Sequence, residues 1–505
     1  MHRVGCKTLK VRAVRAWLAA VWLAFAFCML EQGEARPAQA QSGTEGWTEA
    51  GLLSNPDVDA WAPAIVADAA GNVHVVWSQT MSANPPPGEG DTLYYARWDG
   101  TKWTEPVDVL VSPQGALEWP DLAITPDGML HLVWDSGGTG SVLFYAHAPA
   151  CCANDVHQWS EPIALQGPMI GGASAILADQ QGRLHVAYSS LDSGSVMYMY
   201  SNNGGNSWSR PVAISGIDLQ SDEFTNWPRL AMDDRGRLHA VWTVMPWPGR
   251  AVMYARSDDG GLSWGKPTVI DTASRPDYTN NSFGPIYIDI ATRGEDEVHL
   301  IWDGAPTVER NHIWSADGGK TWAKPTLLFP EITGSGRSGF NDMAVDSAGT
   351  LHAIALGGPF HATWEDPVWS TSHRIPMPAS VSSGAELVRL AISQGNTLHV
   401  VWLKKDARPF TVWYSRAQTT APALPRQPLP IPTPEPTRTP LPSLGMIPTR
   451  EIPSPTPLPK ELTVEIPPRP SLLTNSTTAA LLGAAPAFLL VLTIVVVRLR
   501  QKQWR

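Results

Sequence analysis

One phrase recurs seven times along this chain and limits what it can fold into. A turn residue is followed by Val or Leu, then His, then an apolar run that often ends in an aromatic. It reads Val73-His74-Val75-Val76-Trp77, Leu130-His131-Leu132-Val133-Trp134, Leu184-His185-Val186-Ala187-Tyr188 and Leu238-His239-Ala240-Val241-Trp242. It then reads Val298-His299-Leu300-Ile301-Trp302, Leu351-His352-Ala353-Ile354-Ala355 and Leu398-His399-Val400-Val401-Trp402. The seven histidines are 47 to 60 residues apart, a spacing typical of propeller blades.

Each unit divides into four short strand-like pieces. In the fourth these are Arg229 to Met232, Leu238 to Thr243, Ala251 to Arg256 and Lys266 to Ile270. Asp233-Asp234-Arg235-Gly236 and Asp258-Asp259-Gly260-Gly261 supply turn residues between them. Period-two patterning with no helical period predicts an all-β chain, and seven units arranged radially predict a β-propeller. The seventh unit stops after Phe410 to Ser415 and lacks a fourth strand. The segment Gly46-Trp47-Thr48-Glu49 matches that missing piece, so it is expected to pair with Val412 to Tyr414 and close the ring, which removes both raw edges.

The segments flanking the repeats differ in character. Arg3, Lys7, Lys10, Arg12 and Arg15 precede an apolar run from Ala16 to Leu30, and Ala38-Gln39-Ala40 resembles a cleavage site. Residues 1–40 therefore read as a signal peptide. The ectodomain is expected over 41–418, followed by a proline-dense linker at 419–470 and a juxtamembrane segment at 471–478. Proline fixes φ and removes backbone donors, so the linker reads as an extended stalk. Residues 479–497 are apolar and about long enough to cross a bilayer core of roughly 30 Å. Arg498, Arg500, Lys502 and Arg505 follow, which predicts a cytoplasmic tail at 498–505 and an outside ectodomain. The expected location is a cell membrane, crossed once.

The formal net charge of −10 argues against nucleic-acid binding. Cys151 and Cys152 are adjacent and lie in the exported part, where a vicinal disulfide and two free thiols both remain open. Nothing in the sequence asks for a cofactor or a metal.

Three turns share a further signature, Ser-x-Asp-x-Gly-x-Ser/Thr-Trp. Ser257, Asp259, Gly261 and Trp264 satisfy it, as do Ser315, Asp317, Gly319 and Trp322. Ser201 to Trp208 fits with Asn203 in place of the acid. The signature resembles the Asp-box of the sialidase and BNR-repeat superfamily, over roughly Gly46 to Arg416. The resemblance implies a propeller, six-bladed in the family's sialidases, with structural boxes remote from any active site. The Trp of each box is expected to be buried between strands. The resemblance also implies an arginine triad, a Tyr/Glu nucleophile pair and an Asp acid/base. The sequence departs there: no arginine lies between Gln41 and Arg97, and Arg374-Ile375-Pro376 follows all three boxes instead of preceding them.

Alignment on the histidines points to a site. Ten residues before each stand Ala64, Asp121, Ala175, Arg229, Asp289, Asp342 and Arg389. Two residues earlier stand Ala62, Trp119, Ala173, Trp227, Tyr287, Phe340 and Leu387. Five charges and four aromatics at equivalent positions suggest a funnel with aromatic platforms and convergent charges, suited to a polar ligand. The expected ligand-binding residues are Trp119, Asp121, Trp227, Arg229, Asp289, Asp342 and Arg389. Long connections would add Arg275, Tyr278 and Arg337.

Three functions fit this sequence. The first is a surface module that binds an extracellular glycan or other polar ligand. The second is a sialidase-like glycoside hydrolase with Asp121 as acid/base and Tyr278 or Tyr287 as nucleophile. The third is an extracellular protein-interaction scaffold.

Overall fold

The computed structural model describes residues 46–430, apart from 81–89, 138–139, 170–171, 217–218, 221–222, 246–248, 273–283, 305–309, Glu331, 333–338, 356–357, 380–384 and 406–407. The expected signal peptide, most of the stalk, the membrane segment and the basic tail lie outside the described residues. So do Arg275, Tyr278 and Arg337.

Seven four-stranded antiparallel sheets follow one another along the chain. Their inner strands pack successively, and that of the first sheet also meets that of the last, so the sheets form a ring. Seven blades are present, not six. Among the described residues the only helical turn is the short 3-10 segment Val156–Gln158. Blade 4 consists of Phe224–Met232, Leu238–Met245, Ala251–Ser257 and Thr268–Thr272. Its inner strand starts five residues earlier than the pattern suggests, because a bulge interrupts the alternation.

The ring closes with strands from both ends of the propeller. Gly51–Leu52 pairs antiparallel with Thr411–Gln418, placing Gly51 opposite Tyr414 and Leu52 opposite Trp413. Trp47 lies slightly further along and bridges Ala417. Pairing of the N-terminal piece with the seventh unit is thus as expected, with the regular strand displaced a few residues toward the C-terminus.

Each histidine phrase is the second strand of its blade, and the aromatic that ends it is core. Trp77, Trp134, Trp242, Trp302 and Trp402 are essentially inaccessible. The seven histidines are buried too. In blade 4 Nε2 of His239 lies 3.0 Å from Asp233 and Nδ1 lies 2.7 Å from the Tyr254 hydroxyl. A carboxylate only accepts, so Nε2 carries the proton and Nδ1 accepts from the tyrosine. His74 joins Asp68 to Tyr95, and His185 joins Asp179 to Tyr198, in the same way.

The tyrosines of these chains meet the next blade at the Ser-x-Asp-x-Gly-x-Ser/Thr-Trp turns. Trp264 stands edge-on to Tyr198 of the preceding blade at 5.0 Å, and Trp322 stands edge-on to Tyr254 at 5.0 Å. Trp208 stands likewise to Tyr145 at 5.2 Å. Contrary to expectation, Trp264 and Trp322 are half-buried, because they cover a junction between blades and not the interior of one. Asp259 accepts the Ser257 and Ser263 hydroxyls and the Ser263 N–H, and these bonds, the Ser263 hydroxyl first, hold it near about 2. Asp317 does the same for Ser315 and Thr321. Gly261 is needed twice over: its φ is +91°, and a Cβ there would lie 1.9 Å from the Tyr198 hydroxyl. Gly319 meets Tyr254 in the same way.

Cys151 and Cys152 form a vicinal disulfide between the third and fourth strands of blade 2. Residues 419–430, expected to begin the stalk, instead belong to the propeller unit. Lacking regular ladder partners, they use the few donors left between prolines. Thr419 and Leu424 N–H donate to Asn396 and Gln394 of blade 7, and Gln427 N–H donates to Ala69 of blade 1. Ser347 of blade 6 donates to the Pro422 carbonyl, and Leu429 packs into the apolar cluster of blade 2.

Two outcomes are expected. Gly261→Ala should lower stability in urea melts by about 3 kcal/mol, the scale of left-handed strain plus overpacking, whereas Gly182→Ala, with open space around it, should cost about 1 kcal/mol. Equal losses would remove the tyrosine contact from the explanation. Acid should also unfold the ring early. Burial pushes His131 and His399 down to about 3 and His185 to about 4. The unfolded chain, with histidines near 6.5, therefore binds protons first, and stability falls as pH drops below about 6.5 toward those values. A melting temperature that stays flat from pH 7 to pH 4.5 would contradict this.

Candidate functional site

In blades 1, 2, 4, 5 and 7 the inner strand slips register by one residue. The slips lie between Trp61 and Ala64, Glu118 and Asp121, Asn226 and Arg229, Ile286 and Asp289, and Glu386 and Arg389. Inside each slip a non-glycine residue adopts a left-handed conformation: Ala62, Trp119, Trp227, Tyr287 and Leu387, with φ between +43° and +53°. Such backbone costs about 1–3 kcal/mol and persists only where its surroundings enforce it. Pro63, Pro120 and Pro228 sit in three of the slips, where the ladder is already interrupted and needs no donor. A bulge re-aims the side chain it carries.

Here the re-aimed side chains meet over the axis. Phe340 of blade 6 lies 5.6 Å from Trp119 of blade 2, 6.3 Å from Trp227 of blade 4 and 4.4 Å from Tyr287 of blade 5. Trp227 stacks on Tyr287 at 5.5 Å, and Trp61 of blade 1 extends the group to Trp119 at 6.2 Å. Phe340 at the centre is buried; the other four are half-exposed. Lys405 lies 4.6 Å above the Trp61 ring and pairs with Glu386 at 3.1 Å. The expected platforms are therefore one continuous aromatic patch.

The charges lie one step along the same strands. Asp121 accepts the N–H of Ile176 in blade 3 at 3.0 Å. Asp289 accepts that of Met343 in blade 6 at 2.9 Å, and Asp342 that of Leu390 in blade 7 at 2.8 Å. Each carboxylate thus ties its blade to the next by the same bond. Arg389 donates to its neighbour's carbonyl, Val388 O, at 2.9 Å, and lies 6.0 Å from the Phe340 ring. Arg229 and Arg389 face one another closely enough that, after burial, Arg229 is the main influence lowering the Arg389 pKa. Burial raises the pKa of Asp289 and Asp342. Trp119, Asp121, Arg229 and Arg389 line a common crevice, and the three charged residues are half-exposed. Asp121, Arg229 and Arg389 are thus brought together beside Trp119, at the same partial exposure as the aromatics.

Of the expected nucleophiles, Tyr287 belongs to the aromatic patch. Burial, then the nearby Asp303 and Glu386 charges, push its phenol up to about 12, away from a reactive phenolate. Asp121 has one oxygen committed to Ile176. The bulges escaped sequence reasoning because strict alternation was assumed. The Ala62-Pro63, Trp119-Pro120 and Trp227-Pro228 pairs were the available signal, since proline inside a strand marks an interrupted ladder.

No family model and no curated protein matches the chain. Among solved structures, it is similar to a protein of unknown function from Dyadobacter fermentans, at 13% identity and a TM-score of 0.45, over 74% of this chain and 99% of that one. It is similar to an ulvan lyase of a polysaccharide lyase family at 13% identity and 0.45, covering 72% and 94%. It is similar to the NanB sialidase from Streptococcus pneumoniae at 12% identity and 0.42, covering 74% and 70%.

If the carboxylates are inter-blade ties, Asp342→Leu should leave the Leu390 N–H unpaired and lower stability by about 1–3 kcal/mol. A urea melt superimposable on that of the unaltered chain would refute the tie.

Proposed function

We propose that this propeller is a carbohydrate-binding module that holds its ligand on the axial aromatic patch and does not turn it over. The supporting observation is the convergence of Trp119, Trp227 and Tyr287 on Phe340, extended through Trp119 to Trp61, the four half-exposed rings coming from four different blades. Apolar faces of sugar rings pack on aromatic faces, and hydroxyls need a few polar groups at the rim. Glu118, Glu386 and Lys405 stand at the bulges and beside Trp61. Binding is favoured over hydrolysis because Tyr287 has a raised pKa and Asp121 has one oxygen held by the Ile176 N–H.

The test is a glycan array beside a fluorogenic sialoside assay. Trp119→Ala and Trp227→Ala should each weaken binding about three- to tenfold, the scale of one aromatic contact. Asp259→Ala, on a remote turn, should leave binding unchanged. Retained affinity in both tryptophan variants would move the ligand elsewhere. Sialoside turnover lost in Asp121→Asn would favour the hydrolase instead.

We also propose that the propeller works outside a cell, anchored by residues 479–497 and spaced from the membrane by the proline-dense segment. The supporting features are the uncharged apolar run and the basic residues after it. The propeller should therefore be released from intact cells by external protease, and its resistance would contradict the orientation.

A further inference from the structure

The face carrying the Asp-box turns holds a second feature, visible only when the blade junctions are compared. At three junctions an arginine of one blade donates to a turn carbonyl of the next. Arg97 Nη1 reaches Cys151 O at 2.6 Å, Arg183 Nη1 reaches Gly260 O at 2.9 Å, and Arg256 Nη1 reaches Gly318 O at 2.6 Å. At the junction of blades 3 and 4 the Arg183 guanidinium also lies over the Tyr200 ring at 5.5 Å.

The junction of blades 2 and 3 departs from this plan. Met129 stands at the repeat position of Arg183, two residues before the histidine. His147 stands at the position of Tyr200 and Arg256, two residues after the third-strand tyrosine. Neither side chain hydrogen-bonds Gly204 O, which receives the Tyr145 hydroxyl at 3.2 Å. A groove of about 530 Å³ lies at this junction, lined by Met129, His147, Gly204, Asp127, Gln181 and Asn206 among others; one of about 510 Å³ also lies at the junction of blades 4 and 5, beside Arg256 and Gly319.

The groove between blades 2 and 3 keeps most of what holds an arginine elsewhere. Gly204 presents the same box carbonyl that Gly260 and Gly318 present, and a carbonyl has two lone pairs. The half-buried His147 ring stands where Tyr200 offers its face. Asp127, exposed at the rim, adds a carboxylate, and the ring of Gln181 and Asn206 amides supplies further acceptors. A guanidinium is planar, weakly hydrated and stacks on flat rings while donating in its own plane. We propose that this groove binds an arginine side chain of a protein partner, which completes the junction from outside as Arg183 completes its neighbour from within.

This site is separate from the aromatic patch, so the two can fail independently. The test uses the full chain and N-acetyl-arginine methylamide as probe, with the citrulline analogue as its uncharged isostere. The arginine probe should bind saturably and raise the melting temperature, and the citrulline probe should bind about tenfold more weakly, the scale of a charge-assisted hydrogen bond. Met129→Arg should fill the groove from within, abolishing probe binding while leaving the melting temperature equal or higher. Should that variant not fold, Asp127→Asn, in an exposed turn, should still weaken the arginine probe about threefold or more. Equal binding of both probes, undiminished binding by Met129→Arg or by Asp127→Asn, or no saturable binding of the arginine probe would each overturn the proposal.

Discussion

Everything in this molecule depends on how one blade grips the next. A propeller blade is a small sheet that cannot bury both its faces alone, so the junctions carry the core. Here the grip starts from a buried polar chain, a turn carboxylate, a neutral imidazole and a tyrosine hydroxyl, whose ring meets the tryptophan of the following Ser-x-Asp turn. A buried polar group is costly unless satisfied. The carboxylate, imidazole and hydroxyl satisfy one another within a blade and so fix the tyrosine against which the next blade's tryptophan seats, while the apolar runs pack around them. Variants of the chain keep its geometry. Thr125 and Ser393 replace the carboxylate in blades 2 and 7, and His312 and His361 replace the tyrosine in blades 5 and 6.

The same economy of position operates at the axis. Asp121, Asp289 and Asp342 each spend one oxygen on the backbone of the next blade. Blades 3 and 6, which show no bulge among the described residues, receive a second tie as well: Asp135 accepts from Gly172 N–H, and Asp303 from Gly339 N–H. Burial raises Asp135 to about 7, so this tie works with a carboxyl that is largely desolvated. Architecture and candidate site share residues, and a charge at an equivalent position in several blades is not by itself a sign of ligand chemistry.

The fold was legible because periodicity survives without knowledge of contacts. Histidine phrases, Gly/Asp turns and the missing seventh strand together lead to a closed ring of seven, and the His-centred runs are all second strands. The site was only half legible. Counting two residues back along a strand found Trp119, Trp227, Tyr287 and Phe340, but it placed them on the wall beside the charges. The left-handed slips carry Trp119, Trp227 and Tyr287 over to Phe340, and alternation has no means of representing a slip. The groove at blades 2 and 3 was equally hidden. Met129 and His147 look unremarkable in sequence and acquire meaning only beside Arg183 and Tyr200, whose places they take.

The segment after the last strand has a mechanical consequence. Between Thr419 and Pro430 the chain leaves blade 7, touches blade 6, returns across blade 7, passes blade 1 and reaches Gly128 of blade 2. It therefore crosses the seam where the two ends of the propeller pair. Tension applied beyond residue 430 arrives first at blade 2, two blades away from that seam. It must peel Leu429, Gln427 and Leu424 from the turns beneath them, one after another, before any load reaches the Thr411–Gln418 strand. The twelve residues act as a strain relief, as on a cable where it enters its plug.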